Sequence, residues 1–255
     1  MKLKNLIPEA LKPIDIDDSQ IGILKDHEKL IEQISSSLKT CSEAYGVAFK
    51  QKKALHRNSE RSGFGSFLKP RGSKRKPVDT HATVDEFFEN FRKKHYSSKI
   101  PSRQKSAFTY CVEIKDNQKS EVPMPAMMYG GNRFFVFPKN GTKYFQTNIE
   151  KFQDFTQSRL NTDIQNHVNW IEDGEHDPEV MKRQYAVLKG HLDEYLSNSN
   201  TKLKDMKPTY AEVWFEHKGY QTINATRVLG LCDALQIPQH QLFHAPTINK
   251  LEKLL

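Results

Sequence analysis

Between Lys50 and Pro77 the chain carries ten basic residues and one acid, Glu60, and no other feature of its 255 residues constrains folding as strongly. The ten are Lys50, Lys52, Lys53, Arg57, Arg61, Lys69, Arg71, Lys74, Arg75 and Lys76. The segment is therefore +9, which leaves the other 227 residues at −1 of the chain's net +8. Gly63, Gly65, Pro70, Gly72 and Pro77 punctuate it, and its bulky apolar residues are only Leu55, Phe64, Phe67 and Leu68. So little apolar surface cannot offset the entropy of ordering the segment. The sequence thus predicts a basic flexible linker over 50–80, between an N-terminal helical segment at 1–49 and a body at 81–255. Such a strap suits nucleic acid or an acidic protein surface, with Phe64 and Phe67 free to stack on unpaired bases; a solvated spacer has the same composition.

Several classes are excluded or disfavoured. No apolar run approaches the roughly 18 residues that span a bilayer, and Met1 to Pro8 contain no signal-peptide core. The expectation is a protein that is neither membrane-bound nor secreted. Cys41, Cys111 and Cys232 are odd in number and far apart, which argues against a disulfide framework or a cysteine zinc site.

Periodicity outlines the elements. Ile23, Leu24, Leu30, Ile31, Ile34, Leu38 and Cys41 recur near helical spacing, predicting one helix from Ser19 to about Tyr45, ended by Gly46. Its stripe over 20–45 must pack on the body or on a second copy, so self-association is open. A capping box at Thr83–Glu86 opens a helix ending near His95. Residues 106–114 and 133–137 are strand-like, and Asn140-Gly141 predicts a hairpin returning through 143–145. Asp177-Pro178 starts a helix within the helical region 148–199. Residues 210–217 and 220–223 read as a second hairpin, and helical pieces at about 225–235, 238–243 and 247–255 finish the chain. This order is an α+β class.

Standard chemical motifs are absent. There is no H-E-x-x-H, C-x-x-C or G-x-S-x-G, and no P-loop lysine follows Gly130-Gly131. The acidic stretch from Glu172 to Glu179 lacks EF-hand spacing and reads as a loop entering a helix. No metal is expected.

Two segments carry a resemblance. One runs Ile100-Pro-Ser-Arg-Gln-Lys-Ser-Ala-Phe108, then Ala126-Met-Met-Tyr-Gly130 and Phe134-Phe-Val-Phe-Pro138; the other is Ala211-Glu-Val-Trp-Phe-Glu-His-Lys-Gly-Tyr220. Together, over roughly residues 84–224, they resemble the ADP-ribosyltransferase superfamily, most of all the small versions carried by bacteriophages. The resemblance implies antiparallel strands forming a split-sheet core with flanking helices. It also implies NAD as cofactor and a host protein or nucleic acid as target, in the host cytoplasm or the virion.

The implied chemistry is coherent. Breaking the nicotinamide–ribose bond develops positive charge on the ribose, which a carboxylate can stabilise; Glu212 is the candidate, with Glu216 four residues on and the choice between them open. Arg103 would hold the cofactor's phosphates by bidentate bonds. Tyr129 would stack on nicotinamide and Ser106 would hold the ribose or orient the carboxylate. The sequence departs from the family by lacking Ser-Thr-Ser, and Tyr210 stands where toxin-like members place Gln or Glu, so arginine modification is not supported. The alternative is a non-catalytic binding or structural protein, a virion component or host-takeover factor, docked on DNA or a protein complex through the basic segment. In that case Arg103, Ser106, Tyr129 and Glu212 are ordinary surface or turn residues.

Overall fold

A computed structural model describes residues 16, 18–59, 67–68, 82–116, 132–152, 155, 158–174, 177–216 and 218–255. In chain order the elements begin α1 (Asp18–Asp26), α2 (Glu28–Ser37), α3 (Ser42–Gln51), β1 (Lys53–Ser59), β2 (Phe67–Leu68), α4 (Ala82–His95), β3 (Ala107–Glu113), β4 (Asn132–Pro138) and β5 (Lys143–Thr147). Then follow α5 (Arg159–Asp173), α6 (Pro178–Ser197), β6 (Ser199–Asn200), β7 (Glu212–Glu216), β8 (Tyr220–Asn224), α7 (Ala225–Ala234) and α8 (Ala245–Glu252). The protein is α+β, with one open sheet in the order β2-β8-β4-β1-β3-β7-β5-β6 and antiparallel pairing throughout.

The strand segments lie where the sequence places them, but neither expected hairpin forms. β4 pairs with β1 and β8, and β5 pairs with β7 and β6. β7 pairs with β3 and β5, and β8 with β2 and β4. Three strands therefore separate β7 from β8, and three separate β4 from β5. Four strand spacings would hold such strands about 19 Å apart in a flat sheet. Yet Phe215 and Tyr220 meet edge to face with ring centroids 5.5 Å apart. The Lys139 N–H donates to the Gly219 carbonyl at 3.0 Å, tying the two connections together. The sheet curls so that β8–β4 and β7–β5 meet at these tight connections.

Strand β7 explains how the core divides. Val213 and Phe215 enter the larger apolar cluster, whose helices are α1, α2, α3, α7 and α8. Trp214, pointing the other way, enters a second cluster with Phe145 and residues of α4, α5 and α6. Both faces are covered, so this strand reads as a continuous apolar run between two glutamates.

The N-terminal expectations need correction. The single helix at 19–45 is three helices, with turns at His27 and at 38–41, and Gly46 lies inside α3 rather than ending a helix. Leu24, Leu30, Ile31, Ile34 and Cys41 are at most 2% exposed, within the same core as Phe135 and Phe215. The stripe expected to offer self-association is covered by its own chain. The linker expected over 50–80 is not one along its length either. Lys53–Ser59 form β1 in the middle of the sheet, pairing with β3 and β4, and Phe67–Leu68 pair with β8 at its edge. Ala54, Leu55 and His56 are buried there, while Lys53 and Arg57 are half-exposed. A short apolar centre inside a basic stretch is enough for a strand when both neighbours are supplied by the fold.

Other boundaries follow local chemistry. Asp177 caps α6, its Oδ1 accepting from Glu179 N at 2.8 Å, with Pro178 in the first turn. Ser158 caps α5, accepting from Asn161 N. Gly174 ends α5 with φ +67°, the left-handed cap that glycine adopts at no steric cost.

Candidate functional site

Arg103, Ser106 and Glu216 do come together, around Ser102. The Ser106 hydroxyl donates to Ser102 O at 2.6 Å, and Ser102 N donates to Glu216 Oε2 at 3.3 Å. The residues that organise the cluster come from α4. Arg103 Nη1 donates to Asp85 Oδ1 at 2.6 Å. Glu89 Oε1 accepts from Arg103 N at 2.6 Å, and its Oε2 accepts from Ser102 Oγ at 3.0 Å and from Arg92 Nη2 at 3.0 Å. Arg92 Nη1 donates to Ile100 O at 2.8 Å. Asp85, Glu89, Arg92, Ser102, Arg103 and Ser106 are all buried.

The guanidinium of Arg103 is enclosed by aromatic rings. Its central carbon lies 4.7 Å from the Phe155 ring centre, 5.0 Å from Phe108 and 5.7 Å from Trp214. Charge and π faces together hold it, and breaking such a buried pair costs about 3–5 kcal/mol. As found, the cluster clamps α4 and the 102–106 segment to the sheet. Asp85 occupies Nη1 of Arg103, whereas the buried Nε of Arg103 makes no hydrogen bond among the described residues. Glu212 begins β7 whereas Glu216 ends it, so the two share a face but lie about 13 Å apart along the strand. Tyr129 lies outside the described residues. Asp85 stands in the first turn of α4, where an acid ordinarily serves the helix dipole, and Glu89 one turn further on carries no local signal of its role.

The basic candidates separate into three groups. Arg61, Lys69, Arg71, Lys74, Arg75 and Lys76 lie outside the described residues. Lys52 Nζ pairs with Asp116 at 2.8 Å, Lys53 Nζ donates to Met206 O at 3.3 Å, and Arg57 Nη1 donates to Tyr220 Oη at 3.4 Å. Lys50, near the end of α3, is exposed and lines a groove of about 590 Å³. This groove runs between α3, the start of β5 and the turn at 201–204. Lys202 and Lys204 stand on its other side, and none of the three ammonium groups makes an ion pair among the described residues. In the sequence, Lys202 and Lys204 are marked only by their Lys-x-Lys spacing.

Tyr144 lines the same groove and is 4% exposed; its hydroxyl has Thr142 as a neighbour and makes no well-formed hydrogen bond among the described residues. Thr142 beside it gives its own proton to Lys139 O at 2.6 Å. Burial pushes the Tyr144 phenol up, so it remains a donor.

Other reactive groups are quiet. The three cysteines are free and buried, and burial pushes the Cys111 thiol up to about 12, which withholds the nucleophilic thiolate. Among the described residues no cluster of three His, Cys, Asp or Glu side chains could hold a metal ion. No helix among the described residues is long and apolar enough to cross a membrane. No family model, curated protein or solved structure matches the chain.

Proposed function

We propose that the chain is a nucleic-acid-binding protein that engages phosphates through its basic segment at 50–77. The observation that carries this reading is charge segregation: +9 over that segment against −1 over the other 227 residues. Phosphate neutralisation with counterion release is the binding mode such a distribution favours. The fold adds an anchor. β1 and β2 fix the segment to the sheet at two places.

The test neutralises charge instead of deleting chain, because removing 50–77 would excise β1 from the middle of the sheet. Arg61, Lys69, Arg71, Lys74, Arg75 and Lys76 are changed together to Gln. Binding to single-stranded and duplex DNA and to RNA is then followed against salt. Six phosphate contacts on duplex DNA give a log–log salt slope near about −5, and the variant should lose most of it. Absence of binding by the native chain at low salt, or an unchanged slope in the variant, refutes the reading.

A transferase reading keeps one observation in its favour, the meeting of Arg103, Ser106 and Glu216 around Ser102. It requires millimolar NAD to raise the melting temperature, since a ligand of the native state stabilises it. Loss of that shift in Glu216→Gln would assign the site, and no shift in the native chain would remove NAD from consideration.

A further inference from the structure

We infer that the groove between α3 and the 201–204 turn is a binding site for a phosphate monoester dianion. Its ionised lining consists of Lys50, Lys202 and Lys204 against Glu43, a net +2. Glu43 is partly committed, its Oε2 accepting from Gly141 N at 3.4 Å. A dianion is the ligand whose charge this lining balances. Lysine ammonium groups are point charges that accommodate a phosphoryl group without demanding the planar geometry an arginine pair would impose.

A second, independent feature points the same way. Tyr144 brings a buried hydroxyl that has Thr142 as its neighbour but no well-formed hydrogen bond, and a polar group so placed gains from a ligand acceptor that completes it. A phosphoryl oxygen is such an acceptor. The volume of about 590 Å³ exceeds what phosphate needs and falls in the range of small-molecule sites, so the monoester carries an organic body. Val47 and Leu203 supply apolar surface for it. Gly46 of α3 also lines the groove, and a Cβ built there would meet nothing within 4 Å.

This chemistry has two sources: a free sugar or nucleoside phosphate, or the phosphorylated 5′ end of a strand. The inference does not require the basic segment's other charges, and the six-residue Gln variant described above should bind the small phosphates as the native chain does.

The experiment titrates the full chain with inorganic phosphate, ribose 5-phosphate and dimethyl phosphate, reading binding by calorimetry and by thermal shift. The first two should bind saturably, and dimethyl phosphate, a monoanion, at least several-fold more weakly. Lys202→Gln with Lys204→Gln should weaken ribose 5-phosphate by about tenfold or more, as expected for losing two solvent-screened charge contacts. Gly46→Leu, which adds bulk in the groove and favours the helix, should block binding while keeping the native melting temperature or raising it. Tyr144→Phe discriminates a ligand role from a structural one: it should leave the unliganded melting temperature unchanged or higher and still reduce phosphate affinity. Oligonucleotides with a 5′-phosphate or a 5′-hydroxyl, used as competitors, separate the two sources. Competition only by the phosphorylated strand, tighter than ribose 5-phosphate, assigns the strand end; no preference for it assigns the free monoester. No saturable binding of either phosphate, equal binding of dimethyl phosphate, or undiminished affinity in both the lysine pair and Gly46→Leu variants overturns the inference.

Discussion

Arg103 Nη1 and Asp85 Oδ1 stand 2.6 Å apart, with side-chain exposures of 6% and 4%. The bond joins the turn preceding β3 to the first turn of α4. Asp85→Ala would strand a guanidinium among Phe108, Phe155 and Trp214, and should cost about 3–5 kcal/mol in urea denaturation. Replacing both charges, as Asp85→Leu with Arg103→Met, should recover most of that loss, because well-packed apolar residues often match a buried ion pair. If the double variant is as unstable as the two single losses added together, the bond contributes shape rather than compensated charge.

His56 governs the acid limb of stability. It lies in β1 opposite Tyr110 and Phe135, is 1% exposed, and neither ring nitrogen has a partner. Burial, helped by the positive charge of Arg133, pushes its pKa down to about 4. The unfolded chain, with an ordinary imidazole near 6.5, therefore binds more protons than the folded one between those values. Stability should be complete above about pH 6.5 and fall as pH drops through about 4, by about 3 kcal/mol. His167 and His244 are displaced the same way by burial and add to the slope. Asp116 is held low by its bonds to Lys52 and His240 despite the opposing effect of partial burial, and adds a further loss at lower pH. Urea midpoints measured from pH 4 to 8 should flatten appreciably in His56→Leu. An unchanged slope would place the proton uptake elsewhere.

Asn140 is a staple rather than a hairpin residue. Its Oδ1 accepts from Glu43 N at 3.0 Å, capping α3 from across the fold, and its Nδ2 donates to Lys39 O at 3.1 Å and Ser42 Oγ at 2.9 Å. Its backbone N donates to Thr40 O at 2.9 Å. Asn140→Ala should cost about 1–2 kcal/mol, typical of a lost cap. Asn140→Asp should cost less, since the carboxylate keeps the acceptor at a helix N-terminus and loses only the donors. Equal costs would show that the donors, not the cap, carry the staple.

These residues also show what the sequence could reveal. Caps and stripes are local chemistry, so α6 is legible from Asp177-Pro178 and from Leu188, Leu192 and Tyr195. Strand positions are legible as well, but pairing is not. Asn140-Gly141 supports a tight turn with Gly141 at φ +71°, yet the strands it joins part and meet other partners. Curl is a property of the whole sheet, and no local pattern encodes it. β1 was hidden because its apolar centre, Ala54 and Leu55, is short and its flanks are basic. At the candidate site, Arg103 and Ser106 are neighbours in sequence, while Glu216, Asp85 and Glu89 reach them from β7 and α4, elements that sequence alone could not orient. Lys50 and Lys202 are 152 positions apart in sequence, so their shared groove is purely tertiary.

Trp214 offers the last test, of the second core. It is 1% exposed and packs against Phe145 at 4.6 Å, Phe88 at 5.6 Å and Phe108 at 6.2 Å between ring centres. Its indole N–H has no partner, so Trp214→Phe removes an unsatisfied donor and leaves part of the ring volume in place. Trp214→Ala opens a cavity beneath three helices and should cost about 3–5 kcal/mol. Trp214→Phe should cost clearly less than half of that, because shape is partly kept and no hydrogen bond is lost. The chain's other tryptophan, Trp170, is half-exposed, so either substitution should also remove the blue-shifted part of the native emission. Equal destabilisation by the two variants would mean that the indole's full width, pressed against the Arg103 guanidinium, sets the spacing between the sheet and α4.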